Sequence, residues 1–223
     1  MSQLAQSMSR LGTETAFDVL ARAEQLVATG EDIINLGIGQ PDFKTPDHIV
    51  NAAIKALKDG HHGYTPANGI KLLRETIAVD LARRHSVGVD PNHVVVVPGG
   101  KVTMFFAILM FGEPGVEILY PNPGFPIYES AINFTGAKAI PIPLREDNAF
   151  SFDADTVLAL ITTKTRLIIL NSPANPTGGY VPKYQLDRLA AGLEAHPHVN
   201  ILSDDTTMDA IEEYDLLPNS AAW

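Results

Sequence analysis

Several short segments place reactive or ligand-binding residue types where an apolar run ends. Residues 98–101 read Pro-Gly-Gly-Lys, directly after the valine run 94–97 and directly before the apolar stretch Val102–Phe111. Two glycines between a strand and a helix leave backbone N–H groups open and let an anion such as a phosphate approach closely. The spacing is neither a Walker loop nor a dinucleotide fingerprint, and such a turn also serves simply to start a helix. Asp204 stands at the end of a second apolar run, residues 199–205. A carboxylate there needs a donor or a cation; a protonated ring nitrogen is one such partner, and a helix cap or salt bridge is another. Asp205 reads as its solvated neighbour. Residues 171–179, NSPANPTGG, form a proline-stiffened turn in which Asn175 offers both an amide donor and a carbonyl acceptor. The plain alternative is a loop that only reverses the chain. Phe125 follows the turn PNPG at 121–124 and can stack on a planar ligand or fill the core. Tyr64 lies in the loop HHGYTPANG and presents a hydroxyl either to a phosphate or to water.

Other chemistries are absent from the sequence. There is no cysteine, so thiolate metal sites, thiol nucleophiles and disulfides are excluded. The seven histidines form no HExxH or other ligand spacing, and no GxSxG elbow occurs.

These residues must be carried by elements that the hydrophobic pattern predicts. Helices are expected at 16–29, from Pro46 (capped by Thr45) to Lys58, at 70–85, from Val102 to Phe111, and at 127–134, 153–161 and 182–196. A short apolar strand or extended segment is expected at 33–37, and short apolar strands at 94–97, 116–120, 138–143, 166–171 and 199–205. They do not alternate polar with apolar residues, which is the pattern of parallel strands buried on both faces with helices above and below. The chain is therefore expected to be α/β, with ligand sites at the carboxyl ends of its strands.

Composition narrows the partners. Of 223 residues, 16 are Lys or Arg and 26 are Asp or Glu, for a formal charge of -10. Such an acidic chain argues against a nucleic-acid partner. No apolar run approaches the roughly 20 residues of a membrane span, and the N-terminal MSQLAQSMSR lacks an apolar signal core. A cytoplasmic protein with no membrane partner is the expectation. Residues 206–223 hold four acids and no basic residue, and the chain reads as cut short or altered there.

Taken together and in order, six segments resemble one family. They are NLGIGQPDF at 35–43, YTPANGIKLLRE at 64–75, PGGK at 98–101, YPNPGFPIY at 120–128, NSPANPTGG at 171–179 and SDD at 203–205. Over roughly residues 12–205 the chain resembles the class I and II aminotransferases, pyridoxal-phosphate enzymes of the aspartate-aminotransferase fold (fold type I). The resemblance implies a mostly parallel sheet with helices on both faces, truncated before the family's internal-aldimine lysine. Residues 1–45 would be an N-terminal arm and part of a small domain, 46–205 an incomplete cofactor-binding large domain, and 206–223 an atypical acidic tail.

It also implies roles for single residues. Gly99, Gly100 and Lys101 would cradle the cofactor phosphate, Phe125 would stack on the pyridine ring, and Asp204 would pair with the ring nitrogen. Asn175 would bond the ring hydroxyl and approach the substrate carboxylate, near which Gly39 would also lie. Tyr64 would reach the cofactor phosphate of a neighbouring subunit, so the active form would be a homodimer. Two departures accompany these matches. The family tyrosine three residues after the strand-end aspartate is Thr207 here, and Tyr214 is a poor substitute. No lysine or arginine follows Arg188, so neither the Schiff-base lysine nor the family's carboxylate-clamping arginine is present in these residues. The function implied is transfer of an amino group between an L-amino acid and a 2-oxo acid, with no catalytic lysine in the chain. A non-catalytic remnant or partner protein and a related pyridoxal-phosphate lyase are the alternatives.

Overall fold

The computed structural model describes residues 4–12, 15–37, 39 and 43–204, with the side chains of 15–17 excepted. Two compact units emerge. One comprises, among the described residues, 4–12 and 98–204; the other comprises 15–97.

The first unit is a four-stranded sheet in the order β2-β1-β3-β4, with β1 at Glu117–Asn122, β2 at Lys138–Pro143, β3 at Thr165–Asn171 and β4 at Asn200–Asp204. Every neighbouring pair is parallel, and Asn171 of β3 lies opposite Asp204 of β4. The central strands β1 and β3 are buried on both faces, whereas the edge strands are partly exposed. Residues alternate between two cores, as the pleat requires. Ile118, Tyr120, Leu167 and Ile169 meet Met104 and Ile108 of α4 (Gly100–Phe111) and Tyr128, Ala131 and Ile132 of α5 (Ile127–Thr135). On the other face, Leu119, Ile142 and Ile168 meet Val157 of α6 (Ala154–Ala159) and Leu189 of α7 (Lys183–Leu193). Each fully buried Ile or Leu contributes roughly 1.5–3 kcal/mol through removal from water. The parallel sheet with helices on both faces is thus present.

The ends of these helices follow local chemistry. Asp153 caps α6 by accepting from the Thr156 backbone N–H at 2.9 Å and its hydroxyl at 2.8 Å. Helix α5 stops at Gly136, whose φ of 86° is the left-handed turn that a glycine supplies. Arg10 adds two donors to the last turn of α5, at the carbonyls of Asn133 (2.9 Å) and Phe134 (3.0 Å). Helix α4 is apolar all round, and Phe106 and Met110 on it are exposed.

The second unit holds α1 (Thr15–Ala28), α2 (Asp47–Lys58) and α3 (Lys71–His85). Arg74 of α3 donates to the carbonyls of Gly69 and Pro91 at 3.2 and 2.6 Å, and Val96 N–H donates to the Asn68 carbonyl at 3.1 Å. Two expectations are corrected here. Residues 94–97 are not a strand, because a ladder needs a neighbouring strand and the segment pairs with none among the described residues. Residues 33–37 also pair with no strand there, which leaves the extended segment of their two readings. Thr45 does not cap α2: the N-cap is Pro46, the helix starts at Asp47, and no side chain bonds its first turn. The segment 206–223, with Thr207 and Tyr214, lies outside the described residues, as does Asp205. No helix of the described residues is long and apolar enough to cross a membrane.

Candidate ligand site at the strand ends

Parallel strands bring their carboxyl ends to one edge, and the helices that follow begin there. Asp204 is the last described residue of β4 and is 7% exposed. A buried carboxylate requires a donor, and Tyr128 supplies one: its hydroxyl donates to Asp204 Oδ2 at 2.5 Å. Burial, and then the Asp204 carboxylate, push the Tyr128 phenol above its ordinary range. A phenol that keeps its proton remains a donor to the acid it faces.

Asn171, also 7% exposed, ends β3 and uses both sides of its amide. Its Nδ2 donates to the Asp204 backbone carbonyl at 2.9 Å, and its Oδ1 accepts from the Asn175 N–H at 2.7 Å. The strand-end acid and the proline loop are therefore joined by one buried side chain. The loop closes on itself, with Ala174 N–H donating to the Gly179 carbonyl at 2.8 Å and Gly178 N–H to the Ala174 carbonyl at 2.6 Å. Asn175 is exposed, so its side chain is available to a ligand.

Phe125 lies at the start of α5 and meets the Tyr128 ring edge-on, with centroids 6.1 Å apart. The Lys101 ammonium stands over the Phe125 ring, 5.5 Å from its centroid. Lys101 belongs to the first turn of α4, which begins after Gly99 with φ 89° and ψ 153°. That conformation belongs essentially to glycine. The turn has no side-chain cap, and nothing lies within 4 Å of where a Gly99 side chain would project. The first N–H groups of such a helix have no intrahelical partner, and the helix dipole favours an anion beside them.

Of the residues singled out from the sequence, Lys101, Phe125, Asn175 and Asp204 are thus joined in one chain of contacts through Tyr128 and Asn171. Gly99 and Gly100 immediately precede Lys101 in that chain. Gly39 and Tyr64 belong to the second unit, where both are exposed. Sequence reasoning missed Tyr128 and the bridging role of Asn171. The signal for Tyr128 was its place three residues after Phe125 at a helix start, a spacing that puts both on one side. For Asn171 it was a polar residue closing an apolar strand.

Chemically, the cluster offers a buried acid, an exposed amide, an aromatic face and an uncapped helix start.

Comparison with known proteins gives the family. Residues 31–209 match the family described as aminotransferase class I and II. A probable aspartate/prephenate aminotransferase of Aquifex aeolicus is 36% identical over 187 residues, which cover 84% of this chain and 48% of that protein. An arginine–pyruvate transaminase of Pseudomonas aeruginosa is 38% identical over 181 residues, 81% of this chain and 46% of its own length. Among solved structures, the aspartate aminotransferase of Thermus thermophilus with maleate superposes with a TM-score of 0.87 at 32% identity, covering 92% of this chain and 53% of that one. The chain spans about half the length of the curated relatives it matches. A match over most of the chain, on the fold and the ordered motifs described, shows that this protein belongs to the class I and II aminotransferase family.

Proposed function

We propose that the chain is the cofactor-addressing part of a pyridoxal-phosphate-dependent aminotransferase. The observation that carries this reading is the buried acid Asp204 at the carboxyl edge of a parallel sheet, joined through Tyr128 and Asn171 to Phe125 and Asn175. The residues present fit the cofactor. Asp204 would hold a protonated ring nitrogen, Asn175 would bond the ring hydroxyl, and Phe125 would cover one ring face. Gly99, Gly100 and Lys101 would take the phosphate at the start of α4. When bound, pyridoxal phosphate supplies the aldehyde and the electron-withdrawing ring on which amino transfer depends.

The rest is done by side chains of this chain. Asp204, which accepts from the Tyr128 hydroxyl, would hold a proton on the ring nitrogen. A carboxylate 7% exposed acts there in a medium that screens it less than water does. Asn171 holds the Asn175 loop at a set distance from Asp204, so the groups for nitrogen and hydroxyl are placed together. Phe125 is fixed edge-on against Tyr128 and so presents a defined face.

In this reading the substrates are an amino acid and a 2-oxo acid, the setting is cytoplasmic amino-acid metabolism, and the assembly is a homodimer. Gly39 serves the substrate carboxylate, and Tyr64 reaches the phosphate site of the partner subunit. The domain division that goes with this reading is 1–45 as an N-terminal arm and part of a small domain, 46–205 as an incomplete cofactor-binding large domain, and 206–223 as an atypical acidic tail. Relatives named for aspartate, prephenate and arginine–pyruvate leave the amino donor open.

In this reading these 223 residues, among which no lysine or arginine follows Arg188, bind and orient the cofactor without turnover of their own. The test is intact mass after incubation with pyridoxal phosphate and borohydride, together with assay of 2-oxo acid from aspartate, alanine and arginine. Reversible binding, no specific reduced adduct and no oxo acid are expected. One stoichiometric adduct with steady turnover would contradict this division of labour, and absence of any binding would contradict the cofactor assignment itself.

A further inference from the structure

The loop that carries Asn175 is held from a second side by a turn that the site chemistry does not use. Residues Glu146–Asn148 form a single helical turn after β2, and the next two residues, Ala149 (φ 48°, ψ 36°) and Phe150 (φ 54°), are both left-handed. Consecutive left-handed residues other than glycine are unfavourable and persist only where surrounding contacts enforce them. Here the enforcing bonds are visible. Ala149 N–H donates to the Glu146 carbonyl at 3.0 Å, Phe150 N–H to Arg145 at 2.8 Å and Ser151 N–H to Asn148 at 2.9 Å. The Asn148 side chain donates to the Ser151 carbonyl at 3.1 Å, and Phe150 packs against the core beside α6 and α7.

This braced turn presses on Gly179. A methyl group at Gly179 would stand 2.6 Å from the Phe150 carbonyl oxygen, 2.7 Å from Phe150 Cβ and 2.9 Å from the Ala149 carbonyl oxygen. Two of the three are backbone atoms of a turn already locked by four hydrogen bonds. The loop, not the turn, must therefore give way. Gly179 is one bond from the site: its carbonyl receives the Ala174 N–H, and Asn175 follows next in the chain.

We propose that the turn 145–150 is a positioning element for Asn175, acting through close backbone contact at Gly179. The strain at Ala149 and Phe150 aims their carbonyls at Gly179, and this contact from outside, with Asn171 inside, fixes where the Asn175 amide stands. Gly179 is a positioning residue, not a catalytic one. The inference rests on the reading that Asn175 addresses the cofactor's ring hydroxyl.

The test uses Gly179→Ala in the full chain. Amide hydrogen exchange at Ala174 and Asn175 is expected to accelerate on the order of tenfold, about what loss of one hydrogen bond allows, while Ile118 and Ile169 in the sheet keep their protection. Affinity for pyridoxamine 5′-phosphate is expected to fall by a similar factor, and affinity for inorganic phosphate to stay the same. In an Asn175→Ala background, Gly179→Ala is expected to have no further effect on pyridoxamine 5′-phosphate. Unchanged Asn175 exchange, an equal loss for both probes, or additive losses with Asn175→Ala would overturn the proposal. If Gly179→Ala unfolds the chain, Phe150→Gly is read instead. It loosens the turn without adding bulk and should accelerate Asn175 exchange by a smaller factor; no change there also overturns the proposal. Failure of the wild-type chain to bind pyridoxamine 5′-phosphate is a different result: it removes the functional reading and this role with it.

Discussion

At the proposed ring end of the site, Asp204 and Asn171 are buried and bonded to each other, to Tyr128 and to the Asn175 loop. At the proposed phosphate end, Gly99, Gly100 and Lys101 are exposed, and the start of α4 has no side-chain cap. The ring end is assembled from side chains that the fold must satisfy whether or not a ligand is present. The phosphate end relies on backbone N–H groups and a dipole that any helix start offers. Substitutions at the ring end should therefore cost stability and ring binding together. Substitutions at the phosphate end should weaken anion binding and leave the fold alone.

The largest effect is expected for Asp204→Ala. It leaves the Tyr128 hydroxyl buried without its acceptor, which costs about 1–3 kcal/mol of stability, and it removes the charge proposed to face the ring nitrogen. Urea denaturation should show the first loss. Titration with pyridoxamine 5′-phosphate should show a fall of roughly 100-fold, the equivalent of a charge-assisted bond, with inorganic phosphate unaffected.

Asn171→Ala comes next. Two hydrogen bonds disappear, for about 2 kcal/mol in the denaturation midpoint, and the Asn175 loop loses its register with Asp204. Ring-probe affinity should drop about tenfold. An equal drop for inorganic phosphate would blur the contrast between the two ends.

Tyr128→Phe should cost about 1 kcal/mol near neutral pH and carries a pH signature. Burial and the facing carboxylate raise the folded-state pKa of this phenol above its ordinary 10.0. Above that value the unfolded chain loses a proton that the folded chain retains, so the stability contribution is complete below pH 10.0 and declines as pH rises further. The phenylalanine variant should lose stability less steeply above pH 10.0 than the parent. Tyr120, whose phenol is also raised by burial, keeps part of the slope.

The smallest structural effect belongs to Lys101→Ala. Its contact with Phe125 is exposed, so stability should change by less than about 0.5 kcal/mol. Phosphate affinity should fall a few-fold, and less at high salt, because an exposed charge is screened. A stability loss comparable to that of Asn171→Ala would show that the phosphate end is also built into the fold.

How much of this was legible in the sequence differs by region. The strand at 138–143 and the helix around Ile127 match the structure closely, since apolar pattern and flanking glycines determine both. The motif residues Lys101, Phe125, Asn175 and Asp204 do meet at the strand ends. The valine run 94–97 misled, because β-branched composition marks a residue's fitness for a sheet but not the presence of a neighbour. Tyr128 and Asn171 were overlooked because their importance lies in long-range bonds, across 76 and 33 positions to Asp204, that no local pattern encodes. The same holds for Gly179, whose need to be small comes from carbonyls of a turn some thirty residues earlier.

The most direct test of the central assignment is an equilibrium titration of the purified chain and its Asp204→Ala variant with pyridoxamine 5′-phosphate. Saturable one-to-one binding by the parent, competed by excess inorganic phosphate and lost in Asp204→Ala, is the predicted result. A parent that does not saturate, or a variant that binds as the parent does, would contradict the placement of a cofactor ring against Asp204.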